Sequence, residues 1–270
     1  MSTQELFCIA AVTFLLAALL SLYSALWMRR VVFATFSAAV LMMLVGFGLR
    51  WHFYASTMHI DWLMAFPVST FYESAAFFVL AVVVTMMFYF RQGSDRRVQS
   101  FVLFFCGIVL LLLNLSEIPN EPVLFLPSLK SYWLVAHVSL SFVAYAMYAL
   151  AACLAFWVLS GKKSETTCSV IRKLVIDATL IFTVGGLIFG AIWAQHSWGR
   201  FWAWDPKETW AFITWCAYVV MLHTDWRRHL SAKTLALWSI VNFGIVLFTY
   251  FGVSIFFAGL HSYISLPGAQ

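Results

Sequence analysis

Charge is what this chain has least of. Only 10% of its 270 residues are Asp, Glu, Lys or Arg, while 63% are hydrophobic. A soluble domain carries about a quarter charged residues, so the composition excludes one of this size and points to a polytopic membrane protein. The net charge of +5 does not mark a nucleic-acid binder, because the basic residues sit in short loops between apolar runs. No two of the five cysteines (Cys8, Cys106, Cys153, Cys168, Cys216) form a C-x-x-C pair, which argues against a thiol–disulfide carrier. All but Cys168 fall inside apolar runs, where a thiol acts as a small packing group. No low-complexity tract, obvious repeat or soluble segment interrupts the chain. The N-terminus has no basic stretch ahead of its long apolar run, so that run is expected to remain as a helix and not to be cleaved.

What is present is apolar sequence in membrane-sized lengths. A helix needs about 20 apolar residues to span a bilayer. Eight stretches qualify, near 5–27, 31–53, 71–90, 98–115, 132–160, 174–194, 206–226 and 234–259. The expected fold is an all-α polytopic membrane bundle, 1–270 forming one integral membrane domain. Of the 16 basic residues, 12 fall in one set of loops: Arg29, Arg30, Arg91, Arg96, Arg97, Lys162, Lys163, Arg172, Lys173, Arg227, Arg228 and Lys233. The other four, Arg50, Lys130, Arg200 and Lys207, fall in the alternate set. The basic side is expected to face the cytoplasm, which puts both termini outside. Outside as well are the aromatic loop 54–70, with His59 and Asp61, the loop 116–131, with Pro119, Pro122 and Pro127, and an external Trp-rich loop at 195–210.

That last loop carries the strongest signal. Residues 198–210 read WGRFWAWDPKETW and contain four Trp and one Phe. Asp205, Pro206 and Glu208 have the spacing of a helix start closed by a capping box. Trp residues also gather at membrane interfaces. An interfacial belt needs only one or two at each helix end, and indole faces at this density suit a large flat ligand.

The segment resembles the tryptophan-rich WWD signature, WG-x-x-W-x-WD, of haem-handling proteins. The wider string WGRFWAWDPKETWAFITW is similar to the CcsA/ResC branch of cytochrome c biogenesis. Phe71-Tyr72-Glu73-Ser74, His137 at a helix start, Leu222-His223-Thr224 and Gly259-Leu260-His261-Ser262-Tyr263 fit the same family, so the likeness runs from about residue 67 to 263. It implies that haem b is both substrate and bound ligand. It also implies that His137 and His261 ligate the iron beside a platform including Trp198, Trp202, Trp204, Asp205 and Trp210. Two imidazoles on opposite sides of an aromatic platform have the chemistry for both axial bonds. Arg200 and Lys207 are placed to pair with haem propionates, or equally to neutralise Asp205 and Glu208. Trp202 and Trp204 are expected to matter more than Trp193, on the helix before the loop.

Seven histidines are present. His52, His59 and His196 lie near the outer face with no matched role, and His229 lies in a cytoplasmic loop. His223 stands 17 residues beyond Pro206, roughly 25 Å down a helix of about 1.5 Å rise per residue. An ionisable group at that depth is a functional candidate. The resemblance implies that His223 holds haem within the membrane, with a second ligand from a CcsB/ResB-type partner whose fused segment this chain lacks. Glu73 matches a family motif without an evident chemistry, and Gly186 and Gly190 are spaced G-x-x-x-G as for close helix packing.

The function these features imply is haem export and attachment to the C-x-x-C-H segments of apocytochrome c. The chain would be the haem-handling subunit of a cytochrome c synthetase, with a thiol reductant protein keeping the acceptor cysteines reduced. It would orient and shield a reactive cofactor, with no catalytic nucleophile or base of its own. The membrane would be the bacterial cytoplasmic membrane, or the thylakoid membrane of a plastid. Two alternatives are a CcmC-like protein that loads haem onto a chaperone without thioether formation, and a b-type electron-transfer subunit. Electron-transfer subunits of that type carry paired His on one helix, which no helix here does.

Overall fold

The computed structural model describes residues 2–23, 26–89, 96–123, 125–161 and 165–261. Arg91, Lys162, Lys163, Ser262 and Tyr263, named above, lie outside the described residues. The described chain is helical, as expected, and its contacts divide it into two compact units, Met1–Lys130 and Ser131–Gln270.

The first unit holds α1 (Thr3–Ser21), α2 (Leu26–Met58), α3 (Phe71–Tyr89) and α4 (Arg96–Leu115). α1 packs against α2 and α4, and Ser100 Oγ of α4 donates to the Ala18 carbonyl of α1 at 2.6 Å. Tyr72 Oη donates to Asn114 Oδ1 at 2.7 Å, tying α3 to α4.

The first turn of α3 gives Glu73 the chemistry its sequence context did not reveal. Thr70 and Glu73 exchange side-chain and backbone hydrogen bonds in a capping box. The other carboxylate oxygen accepts from Arg50 Nη1 at 3.0 Å and from Tyr54 Oη at 2.6 Å. Arg50 completes its fork on Thr3 Oγ1 and the Asn120 carbonyl. Glu73 and Arg50 are 0% and 2% exposed. A buried pair persists at tolerable cost only when every remaining donor and acceptor is met, and this cluster meets that condition while joining α1, α2, α3 and the 116–131 loop.

The second unit holds α5 (Tyr132–Leu159), α6 (Glu165–Trp198), α7 (Pro206–Arg228) and α8 (Ala232–Phe256). Ser131 caps α5 by accepting from Trp133 N–H. α6 begins at Glu165, ahead of the apolar stretch at 174–194, and so takes in Arg172 and Lys173, which were expected in a loop. It runs to Trp198 and stops at Gly199, whose φ of +73° is the left-handed turn that glycine supplies at a helix end. Two helices loosen locally into π turns, α6 at Thr183–Phe189 and α8 at Phe248–Gly252. At the far end of the unit, Arg172 grips Asp225 at 2.7 and 3.2 Å and donates to the Leu230 carbonyl.

Among the described residues, seven helices are long and apolar enough to cross a membrane, against the eight stretches expected. The remaining stretch, 206–226, does form a helix: α7 has 23 residues, enough length to span. It falls short in apolarity because Thr209, Thr214, His223, Thr224 and Asp225 interrupt its apolar run.

Glu73→Gln leaves the Arg50 guanidinium buried without its counter-charge. Breaking such a pair costs about 3–5 kcal/mol, so the thermal unfolding midpoint of the purified protein in detergent is expected to fall clearly below that of the parent. An unchanged midpoint would show that the cluster contributes little.

Candidate functional site

The Trp-rich segment between α6 and α7 is shaped by its cap. Asp205 accepts from Lys207 N–H at 3.0 Å, and the Glu208 carboxylate reaches back to Asp205 N–H at 3.3 Å and Ala203 N–H at 2.7 Å. The capping box expected from the sequence is present. Asp205 does more than start the helix. Its Oδ1 accepts from Leu260 N–H at 2.6 Å, and its Oδ2 lies 2.8 Å from His261 Nδ1. A β-carbon on Gly259 would run into this carboxylate, so glycine there lets the 257–261 segment approach. Burial works to raise the pKa of Asp205, but the hydrogen bond from His261 and those from the Leu260 and Lys207 N–H groups outweigh it and hold the carboxyl below its usual range.

The second histidine is fixed by a different device. His137, in the second turn of α5, has its Nδ1 2.8 Å from the Gly185 carbonyl. Gly185 lies inside the π turn of α6, where the helical ladder is interrupted and such turns often serve a site. A β-carbon on Gly190 would lie 2.9 Å from His137 Cε1 and 3.0 Å from its Nδ1. Gly190 of the G-x-x-x-G pair therefore has a role beyond helix packing: it opens room for an imidazole.

A carboxylate and a carbonyl are both acceptors only, so Nδ1 is the protonated nitrogen in each ring. In the neutral form of each ring Nε2 then keeps its lone pair. Both rings line one cavity, together with Trp202, Lys207, Glu208, Tyr145 and Tyr250. Trp193, 2% exposed, lies next to both: its ring is stacked on His137 at 6.0 Å and tilted against His261 at 5.5 Å. Trp198 is 4.8 Å from both Trp193 and His261. Lys207 Nζ donates to the Tyr250 carbonyl at 3.0 Å, in the π turn of α8, and sits over the Tyr250 ring. The Trp202 indole N–H and one Glu208 oxygen are buried with no partner among the described residues. Among those residues no group of three or more His, Cys, Asp and Glu could hold a bare metal ion. Two neutral imidazoles instead suit a metal that brings its own equatorial ligands.

The structure brings together His137, His261, Trp198, Trp202, Asp205 and Lys207 of the residues singled out by sequence. It places the others elsewhere. Trp204 is 67% exposed, at a left-handed φ of +58°, and meets only the edge of Trp202 and Phe212. Trp210 packs on Phe248 at 4.4 Å. Arg200 and His196 are exposed, so Lys207 is the cation that lines the cavity. His223 is exposed far along α7, beside Trp226 at 5.8 Å. Sequence reasoning passed over Trp193 because it lies on a helix outside the Trp-rich string; the Gly185–Gly186–Gly190 cluster one turn before it was the available signal.

These features define a class: an all-helical integral membrane protein with two half-buried imidazoles lining one cavity. The chain belongs to the cytochrome c assembly protein family, whose model matches residues 68–261, and this membership supports a role in cytochrome c maturation. It is 35% identical over 209 residues to the protein NrfI of Wolinella succinogenes, covering 73% of this chain and 23% of NrfI. It is 30% identical over 258 residues to the cytochrome c biogenesis protein CcsA of Prochlorococcus marinus, covering 78% of this chain and 81% of that protein. The chain thus spans about a quarter of the first relative and four fifths of the second. The solved structure of the cytochrome c haem lyase CcmF has the same fold over 94% of this chain and 46% of its own, with a TM-score of 0.64 and 18% identity.

The geometry ranks the aromatic residues differently from the sequence. Trp193→Ala, which removes the ring beside both imidazoles, and Gly190→Ala, which displaces one of them, are expected to lower the haem content of the purified protein by about tenfold, the scale of losing support around a metal ligand. Trp204→Ala is expected to leave it nearly unchanged. Haem per protein, measured as the pyridine complex, checks this; equal losses for Trp204→Ala and Trp193→Ala would overturn the ranking.

Proposed function

We propose that this chain carries haem b across a membrane and presents it on the outer face for attachment to apocytochrome c. The observation that carries the reading is the pair His137 and His261, each pinned through Nδ1 with Nε2 left to coordinate, both lining one cavity. Trp202 lines the cavity and supplies a ring for a flat macrocycle, while Trp193 and Trp198 pack against the imidazoles and hold them in place. Lys207 and the unpaired Trp202 N–H are the donors placed for a propionate, so that of the two cations first given this role Lys207 keeps it and Arg200 does not.

The work of the chain is to hold and orient. In attachment, an apocytochrome thiol adds across a haem vinyl group. The S–H and vinyl π bonds break, a C–S bond forms, and the proton ends on the terminal vinyl carbon. The apocytochrome His takes one axial position. The residues around the cavity keep the haem in one pose and limit water. A thiol reductant protein supplies the acceptor as free thiols.

His223 is the inner station in this reading, where a CcsB/ResB-type partner supplies the second imidazole. The Trp-rich loop faces the periplasm of a bacterium or the thylakoid lumen. The excess of Lys and Arg in the loops of the opposite set, 12 against 4, supports that orientation.

His137→Ala or His261→Ala is expected to lower haem bound to the chain by about tenfold or more, at least the cost of losing a mere outer-shell partner. Added imidazole is expected to restore part of it, because it replaces a missing ligand. His223→Ala, produced with the partner, is expected to lower haem at the outer pair while leaving those ligands intact. Full haem content in both His137→Ala and His261→Ala would refute the ligand assignment.

A further inference from the structure

The two imidazoles are backed by unlike groups. His137 donates to a neutral carbonyl, that of Gly185. His261 donates to a carboxylate, that of Asp205, which is 6% exposed. Asp205 is itself fixed from two directions, by the Lys207 N–H at the start of α7 and by the Leu260 N–H next to the histidine it holds. The helix cap and the support of the ligand are therefore one group.

We propose that Asp205 is a positioning residue for His261: it sets the ring's tautomer and direction and makes His261 the stronger of the two axial ligands. The proposal rests on the reading of this cavity as a haem site. A carboxylate acceptor draws the Nδ1 proton and leaves more electron density at Nε2, and outer-shell partners of this kind are worth about 10–100-fold in metal affinity. A carbonyl acceptor does this less. His137, the weaker ligand, is then the one an incoming imidazole replaces, while His261 keeps the haem in place.

The inference has a readout that does not need haem. In the haem-free protein with 15N-labelled histidine, His261 is expected as the Nδ1–H tautomer by NMR, and Asp205→Asn is expected to mix in the Nε2–H form. Asn and Ser both start helices as well as Asp does, so Asp205→Asn and Asp205→Ser keep the α7 cap and separate its loss from the loss of the carboxylate. With haem bound, the background His137→Ala leaves His261 as the ligand from this site. There, the iron–histidine stretch of the ferrous five-coordinate haem is expected to fall in frequency when Asp205 is changed to Asn, and haem affinity is expected to drop about 10–100-fold. An unaltered His261 tautomer in Asp205→Asn, or an unmoved stretch, would overturn the proposal. If instead His261→Ala loses no haem at all, the haem reading fails, and the tautomer measurement still decides whether Asp205 orients the ring.

Discussion

A polar group inside a bilayer has no water to turn to, and each one left unpaired costs several kcal/mol. Both units of this chain are built around that constraint. In the first unit, Arg50 and Glu73 are buried together, and Thr3, Tyr54, Thr70 and Asn120 take up what the pair leaves over. In the second, Thr214 with Thr249, Trp215 with Thr183, and Arg172 with Asp225 do the same between helices. Against this background the few polar atoms that remain unpaired carry meaning. The Trp202 N–H and one Glu208 oxygen line the same cavity as the two imidazoles. Two further buried hydroxyls, those of Ser139 and Tyr218, also lack a partner among the described residues, but neither residue lines the cavity.

The π turns follow the same logic. A regular helix spends each carbonyl on its own ladder, so a site that needs a backbone acceptor must take it from an interruption. The turn in α6 lends the Gly185 carbonyl to His137, and the turn in α8 lends the Tyr250 carbonyl to Lys207. Each interruption thus orients one cavity side chain. The third cavity anchor, Asp205, comes from a helix cap, where unpaired donors and acceptors occur in any case. Local helix defects and ends, not the helix interiors, fix the geometry of the site.

Much of this was legible in the sequence. Hydropathy alone located every helix of the second unit, because apolar runs of membrane length have few other uses. The D-P-K-E string announced its capping box, and His137 and His261 stood out through their place beside the Trp-rich loop. Three things were not legible, each for a physical reason. The ion pair of Glu73 shows nowhere in its own neighbourhood, where Thr70 offers only a helix cap, since Arg50 lies 23 residues away. The role of Trp193 depends on the path of α6, which continues four residues past the expected end and turns that ring between the histidines. Trp204 looked equivalent to Trp202 in the string, but a left-handed backbone at Trp204 turns its ring outward. Alternation along an irregular loop carries no face information, so nothing in the string distinguished the two.

The central claim is that His137 and His261 together form a bis-imidazole site for haem. Electron paramagnetic resonance of the purified protein with ferric haem bound tests it most directly. The account predicts a low-spin ferric signal with two nitrogen axial ligands, converting to a high-spin signal in both His137→Ala and His261→Ala and returning to low spin when imidazole is added. A low-spin signal that persists unchanged in either variant would contradict it.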